Sequence, residues 1–166
     1  MDRMNSSRIH PWLALILWIA LCAAAGAVGA IASASAAGFY ATLAQPSWAP
    51  PSWVFGPVWT LLYMAMAVSA WLVWRERGWA RAGGALGLFL VQLALNALWS
   101  WLFFGWHHGA LAFADIVALL VLIIATIIAF GRIKPLAAWL LVPYLAWVCF
   151  ATALNYSVWQ RNPPLL

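Results

Sequence analysis

Charged side chains are scarce in this sequence: eight Lys and Arg and three Asp and Glu account for only 7% of 166 residues. Soluble domains carry about a quarter charged residues, so this chain has too little polar surface to face water on all sides. Its bases cluster in short segments between long apolar runs, which is typical of loops at phospholipid headgroups and not of a nucleic-acid-binding face. The scarcity excludes a soluble globular domain and predicts an integral membrane protein without a nucleic-acid partner.

Cysteine and histidine are also scarce, with two cysteines and three histidines. Cys22 and Cys149 each lie inside an apolar run, which indicates small packing residues and not a disulfide framework. His107 and His108 are adjacent, so their side chains would diverge on a helix, and no further ligand pattern accompanies them. The sequence therefore predicts no metal site, no axially ligated haem iron and no obligatory cofactor.

Apolar runs long enough to cross a bilayer as helices, about 20 residues each, occur five times. In lipid such runs must be helical, because an open extended chain would leave its backbone polar groups unsatisfied. Most connections between these runs are short, which makes sequential helices antiparallel. Only the first connection, about 36–52, is long. The sequence predicts one all-α membrane domain over residues 1–166, a bundle of five transmembrane helices. The expected spans are about 12–35, 53–74, 84–104, 109–130 and 136–159.

Five spans place the two termini on opposite sides, and the basic residues then sort unequally between the sides. Only Arg161 falls on the side of the long first loop, which predicts a multi-pass protein with a cytoplasmic N-terminus. The competing interpretation is that the first run is a cleaved signal peptide, because bases precede it and the Ala-Ser-Ala at 34–36 resembles a cleavage site. The bases expected on the cytoplasmic side are Arg3, Arg8, Arg75, Arg77, Arg81, Arg132 and Lys134.

Tryptophan, by contrast, is abundant, with fourteen residues. Several lie near span ends, as in the interfacial belt of membrane proteins. Others share a helix face with the few polar residues inside spans: Asn96, Trp99 and Ser100 in the third span, and Trp147 and Ala151 in the fifth. Flat aromatic walls with a few polar groups predict a cavity for a large planar or polycyclic apolar ligand. The alternative is plain helix packing, in which the polar groups bond between helices.

The first loop contains four prolines between positions 45 and 59, which restrict its backbone and the residues that precede each proline. We expect Ser52 to cap the second span and Pro57 to lie in or near its first turn. The loop would then form a shaped lid over the outer end of the bundle. A rigid linker is the alternative.

Four segments are long and distinctive: PSWAPPSWVFGPVWTLLY at 46–63, QLALN at 92–96, YLAW at 144–147 and ATALNY at 151–156. Together they closely resemble the tryptophan-rich sensory protein and translocator protein family, TspO, over about residues 40–161. The resemblance implies a five-helix bundle that binds porphyrins, notably protoporphyrin IX. In some members it also implies cholesterol and synthetic benzodiazepine-type or isoquinoline ligands. Because the longer basic ending of the animal members is missing after Leu166, a bacterial member is expected, in a membrane that the sequence does not specify.

The resemblance also implies a set of ligand-binding residues from the loop and three spans. They are Tyr40, Pro50, Trp59, Tyr63, Asn96, Trp99, Ser100, Trp147 and Ala151. Near the C-terminus, Leu154, Tyr156 and Arg161 match the permissive cholesterol-recognition pattern. The alternative interpretation of that segment is an ordinary interfacial helix end.

Three functions from different classes fit these features. A membrane sensor or carrier for a porphyrin or another polycyclic apolar ligand ranks first. A light-dependent porphyrin-degrading enzyme ranks second: the resemblance implies that Trp59 and Trp147 would exchange electrons with the excited macrocycle, but no nucleophile, acid/base pair or metal set identifies an enzyme. A tetrapyrrole or cholesterol transporter ranks third, because the sequence has no inverted repeat or pair of broken helices.

Asp115 is the only acid inside a predicted span, and an intramembrane charge is costly enough to indicate a function or a partner. It follows the His107-His108 turn by only a few residues. We therefore expect a structural bond to a loop backbone group or a histidine in preference to a proton relay.

Small residues predict self-association within the membrane. Gly83 and Gly87 form a GxxxG pair at the start of the third span, which would let two helices approach closely in a homodimer. The resemblance implies dimers as well. Ala25 and Gly29 in the first span repeat the same spacing and offer a rival surface.

Overall fold

Helices account for all the regular structure in the part of the chain that the computed structural model describes, residues 10–163 and 165–166. A 3-10 turn at Ser52–Val54 precedes the longest helix, and one π-helical turn at Trp101–Gly105 follows it. The helices are α1 (Pro11–Ala32), α2 (Ala36–Thr42), α3 (Phe55–Ser100), α4 (Gly109–Gly131) and α5 (Pro135–Arg161). The predicted all-α class is confirmed.

Helix α3 contains both the second and the third predicted span, and the chain reverses direction within it. Gly78 has φ 65° and ψ 175°, outside the helical range. The Tyr63 hydroxyl donates to Asn96 Oδ1 at 2.6 Å, although the two residues are 33 apart in sequence. A straight helix would separate them by about 50 Å. The arms of α3, 55–77 and 79–100, are therefore antiparallel spans.

In the described part of the chain, four stretches are long and apolar enough to cross a membrane: Pro11–Ala32, Ser52–Gly105, Gly109–Gly131 and Pro135–Arg161. Because Ser52–Gly105 contains two antiparallel arms, the bundle has the five membrane-spanning segments that the sequence predicts. The connection expected between residues 74 and 84 contains the reversal, but it is more regular than a loop, since only Gly78 departs from helical geometry there. The first span is also shorter than predicted, because α1 ends at Ala32 and not at residue 35.

The long first connection is more regular than the sequence indicates, because it includes α2. The expected cap from Ser52 is wrong: this residue lies in the 3-10 turn, and no side chain caps the start of α3 at Phe55. Pro57 lies in the first turn of α3, as predicted, where its missing N–H removes no intrahelical bond.

The ends of the bundle differ in charge among the described residues. Lys134 Nζ lies 3.1 Å from Glu76 Oε2, and Trp71 Nε1 donates to the Pro11 carbonyl at 2.9 Å. These contacts bring the start of α1, the reversal in α3 and the α4–α5 connection to one end. Arg75, Arg77, Arg81, Arg132 and Lys134 share this basic end, and Arg161 lies at the other. Arg3 and Arg8 lie outside the described residues.

The tightly packed core occupies the basic half of the bundle. Met66, Ala70 and Phe89 are fully buried there. Phe89 stacks on Phe130, with ring centroids 5.9 Å apart, and Trp18 meets Phe89 edge to face at 5.8 Å. The opposite half is less completely filled and contains a cavity.

Candidate functional site

A cavity of about 690 Å³ lies between α1, both arms of α3, and α5. The segment from α2 to the 3-10 turn, residues 36–54, covers the outer end of the cavity, which is the end away from Gly78. This segment is the lid. Most of the exposed surface in this cavity is apolar. Its volume falls within the range of about 300–1,000 Å³ that is usual for small-molecule sites.

Aromatic rings form two of the cavity walls. Trp59 packs beside Tyr63 with ring centroids 5.5 Å apart, on the N-terminal arm of α3. Trp147 of α5 meets Phe55 edge to face at 5.9 Å, and Phe55 meets Tyr40 in the same way at 5.7 Å. Offset and edge-to-face contacts of this kind are the favoured arrangements of aromatic pairs, so the rings support one another.

The third wall is α1, which is built there from small residues. A Cβ atom added to Gly26 would lie 3.1 Å from Cε2 of Tyr63, and one added to Gly29 would lie 3.1 Å from Ser100 Oγ. Both distances are tighter than ordinary contacts, so larger side chains would push α1 away from α3. The glycines therefore let α1 close the cavity against both arms of α3.

Polar side chains lie at the inner end of the cavity and bond mainly to one another. Tyr63 donates to Asn96, Asn96 Nδ2 donates to the Tyr144 hydroxyl at 2.9 Å, and Tyr144 donates to Gln92 Oε1 at 2.7 Å. Asn96, Tyr144 and Gln92 are buried. This chain of bonds joins α3 to α5 where the cavity meets the packed core, and it provides partners for Gln92 and Asn96 of the third span.

The lid is fastened by a further set of contacts. The Tyr40 hydroxyl donates to the Pro50 carbonyl at 3.4 Å, and the Gln45 amide donates to the Tyr40 carbonyl. Burial raises the pKa of the Tyr40 phenol, a donor that is protonated at neutral pH even without this shift. Phe39 stacks on His107 at 4.0 Å, which joins α2 to the α3–α4 connection.

The structure brings eight of the nine ligand-binding residues implied by the resemblance to the cavity wall. Pro50 is not in the wall, although its carbonyl accepts the bond from Tyr40. Those in the wall are Tyr40, Trp59, Tyr63, Asn96, Trp99, Ser100, Trp147 and Ala151.

Sequence reasoning missed the contribution of the first span to the cavity. The signal was present in the spacing of Gly26 and Gly29, but small-residue spacing equally fits contact with another chain. The lining residues missed on α1 are Ile19, Cys22, Ala23, Gly26, Gly29 and Ala30. Phe55, Thr60 and Phe104 were missed on and just after α3.

Asp115 lies outside this cavity lining, on the buried side of α4. Its Oδ2 atom has no hydrogen-bond partner among the described residues. The expected bond from this oxygen to a loop group or a histidine is therefore absent. Within the same residues, no group of three His, Cys, Asp or Glu side chains is placed to hold a metal ion.

The residues of the cholesterol-recognition pattern do not share one surface. Leu154 is buried near Tyr40 and Phe103, whereas Tyr156 is 51% exposed and packs on Phe113. Arg161 Nε donates to Ser157 Oγ at 3.3 Å at the exposed end of α5. A single ligand on one face of α5 would not contact all three side chains of the pattern.

Comparison with known proteins places this architecture in a family. The model of the TspO/MBR family matches residues 18–160, nearly the whole bundle and the entire cavity wall. The chain belongs to the TspO/MBR family. The translocator protein of Homo sapiens is 48% identical over 126 residues, which cover 75% of each chain.

Two bacterial members of the TspO/MBR family match over more of the chain than the human protein does. The tryptophan-rich protein TspO of Chlorobaculum tepidum is 43% identical over 154 residues, 91% of this chain and 97% of the relative. The tryptophan-rich sensory protein of Cereibacter sphaeroides is 36% identical over 151 residues, 91% of this chain and 92% of the relative. The family and these names support a membrane sensor or transporter role.

Proposed function

We propose that this membrane protein is a receptor or carrier that binds a porphyrin, with protoporphyrin IX as the favoured ligand. The observation that carries the proposal is the aromatic cavity, in which Trp59 and Trp147 belong to different spanning segments. Flat side chains of this kind suit a planar macrocycle, because stacked and edge-to-face contacts between π systems are favourable. The apolar lining suits the hydrocarbon rim of the same ligand.

The names of the relatives support the same function in general terms. One bacterial relative is called a sensory protein and the human relative a translocator protein. Both words fit a protein that takes up a ligand inside the membrane and passes on either a signal or the ligand itself. Sterol-like ligands fall within the proposal because their polycyclic apolar shape also suits an uncharged cavity.

Purified protein incubated with protoporphyrin IX in darkness and under illumination tests the proposal. Binding in darkness should quench the tryptophan fluorescence of the cavity wall in a saturable manner, while the absorption spectrum of the pigment remains that of an intact porphyrin. Absence of saturable quenching above that of protein-free lipid would refute the proposed function.

The illuminated sample distinguishes the second candidate, light-dependent degradation of porphyrin. This alternative is favoured by one observation: Trp59 and Trp147 both line the cavity, where each could reach a bound macrocycle. Loss of pigment only in the light and only with protein would support degradation. Unchanged pigment in both samples would leave binding alone.

We further infer that the basic end of the bundle, near Gly78, faces the cytoplasm. Five described bases lie at that end and one at the other, and an excess of Lys and Arg in short loops favours the cytoplasmic side. A protease added outside right-side-out vesicles should then remove a C-terminal tag and spare an N-terminal one. The reverse pattern would overturn this orientation.

A further inference from the structure

Among the described residues, the cavity wall contains no Lys, Arg, His, Asp or Glu side chain. Its lining residues are aromatic, aliphatic, glycine, hydroxyl, amide, thiol or thioether residues. A carboxylate moved from water into such surroundings loses its hydration without gaining a counter-charge, which is strongly unfavourable.

The polar groups of the wall are mostly occupied by the protein itself. Ser33 donates to the Gly29 carbonyl and Thr60 to the Gly56 carbonyl, both at 2.9 Å. Trp99 Nε1 donates to Asn155 Oδ1 at 2.9 Å. Tyr40, Tyr63 and Asn96 also donate within the protein. The donors that remain, such as Ser100 Oγ and the indole N–H groups of Trp59 and Trp147, are neutral.

The exposed residues of the wall lie either within the spanning helices or in the lid segment. Those within the spanning helices, where lipid chains would cover them, are Ala23, Ala30, Gly56, Thr60 and Met64. Ala37, Ser52 and Trp53 are exposed in the lid segment, outside the spanning helices. Transfer of a carboxylate from water into lipid hydrocarbon is as unfavourable as its transfer into the cavity. An ionised group of the ligand can therefore reach water only through the opening at the lid.

We infer that the cavity encloses only the uncharged part of its ligand, and that ionised carboxylates stay at the lid opening beside Ser52. This inference rests on the proposed function and specifies its ligand class: a polycyclic molecule that is either neutral or carries its acids along a single edge. Protoporphyrin IX meets this condition because its two propionates lie on neighbouring pyrroles. Uroporphyrin, with eight carboxylates around the ring, does not.

The first test compares three porphyrins by fluorescence quenching in darkness, with the protein in phosphatidylcholine nanodiscs and protein-free discs as the blank. Protoporphyrin IX dimethyl ester should bind within about threefold of the free acid, and uroporphyrin at least about 100-fold more weakly, because its acids would be forced inside. An ester that binds at least about tenfold more weakly than the acid would overturn the inference, since buried acids would then be gaining a specific partner. Uroporphyrin that binds as tightly as protoporphyrin would also overturn it.

The second test changes the charge at the opening. Ser52→Lys should tighten and Ser52→Glu should weaken binding of protoporphyrin IX by about two- to fivefold each, the range of an exposed ion pair, and salt should reduce both effects. Any change in binding of the uncharged dimethyl ester should be the same for both variants and independent of salt, because the ester cannot respond to the sign of the added charge. Ala80→Lys and Ala80→Glu, at an exposed position near Gly78, provide matched controls and should leave both ligands unaffected.

The proposed function and the position of the carboxylates can be refuted separately. If protoporphyrin IX binds but the two Ser52 variants give equal affinities for it, the carboxylates lie elsewhere and this inference is wrong while the proposed function stands. If neither the acid nor the ester gives saturable quenching with the unmodified chain, the proposed function is wrong and the inference falls with it.

Discussion

At the scale of single residues, Trp147 gives the clearest prediction about the cavity. It forms part of the wall and meets Phe55 at 5.9 Å. Trp147→Ala should weaken porphyrin binding by about 1–3 kcal/mol, the range measured when an aromatic side chain that stacks on a base is removed. Trp147→Phe keeps a flat ring and should therefore weaken porphyrin binding by less than Trp147→Ala does. Quenching titrations in darkness measure both.

Trp139 supplies the matched control for Trp147. It lies on the same helix but is 70% exposed and is not part of the cavity wall. Trp139→Ala should leave the dissociation constant unchanged. If Trp147→Ala and Trp139→Ala have the same effect, or if Trp147→Ala has none, Trp147 does not contact the ligand.

For single residues, the sequence predicts the helix face on which a side chain lies but not its hydrogen-bond partners. Helical spacing places Asn96, Trp99 and Ser100 on one inward face, and the structure has them there. Spacing does not identify partners: Asn96 bonds to Tyr63 and Tyr144, residues 33 and 48 positions away. Those bonds depend on how the helices pack, which a single sequence does not contain.

At the scale of elements, Gly78 determines how α3 reverses. Its φ of 65° with ψ of 175° lies in a region that essentially only glycine occupies. Gly78→Ala should therefore destabilise the protein by about 1–3 kcal/mol, although a Cβ atom there would meet no other atom within 4 Å. Thermal unfolding in detergent measures the loss.

Gly84 on the same helix is the control for backbone strain. It has helical geometry and equally open surroundings, so Gly84→Ala should raise stability by up to about 1 kcal/mol through helix propensity. Equal shifts for the two variants would contradict the role given to Gly78. The charged run around Gly78 predicts a loop because its composition is polar, whereas those side chains reach water from two helical arms that meet at Gly78.

Asn162, the residue that follows α5, joins the end of that helix to the lid by hydrogen bonds. Its Oδ1 accepts from Ala44 N at 2.8 Å, and its Nδ2 donates to the carbonyls of Ala44 at 3.1 Å and Val158 at 2.7 Å. Asn162→Asp replaces the Nδ2 donor with an oxygen that faces two carbonyls. This change should destabilise the closed lid by about 1–3 kcal/mol. Amide hydrogen exchange at 40–45 should therefore accelerate by about 5- to 150-fold.

The control for the lid connection is Gln160→Glu, which adds an acid at an exposed position two residues earlier on α5. It should leave exchange in the lid unchanged. If Asn162→Asp leaves exchange at 40–45 unchanged, these bonds do not hold the lid in solution. Neither α2 nor this connection is predictable from the sequence, because the helix is short and the bond spans 118 residues.

At the scale of the whole molecule, apolar run length and the sorting of bases predict most of the architecture. Lipid allows few spanning structures, so five long runs lead directly to a helical bundle. The ion pair between Lys134 and Glu76 joins two connections that this sorting assigns to the same side. The division into a packed basic half and a hollow outer half could not be predicted, because it depends on which small residues of α1 meet which rings of α3.

Self-association also belongs to this scale, and the structure distinguishes the two surfaces that the sequence offers. Gly26 and Gly29 of α1 pack against Tyr63 and Ser100 within one chain. That part of the rival surface is therefore already covered. Around Gly87, by contrast, an added Cβ atom would meet nothing within 4 Å, and the nearest atom to one on Gly83 is Trp79 Nε1 at 3.9 Å. We therefore propose that a homodimer forms through the Gly83–Gly87 face.

Gly87→Leu tests this dimer because a large side chain there would hold two helices apart where small residues otherwise permit close contact. The cavity should be spared, since Asn96, its nearest wall residue along α3, lies about 13 Å further along the helix. Cross-linking in native membranes should lose its dimer band while porphyrin quenching persists. Ala24→Leu, at an exposed position of α1 outside the cavity wall, is the control and should retain the band. A band that survives Gly87→Leu but disappears with Ala24→Leu would move the interface to the first helix.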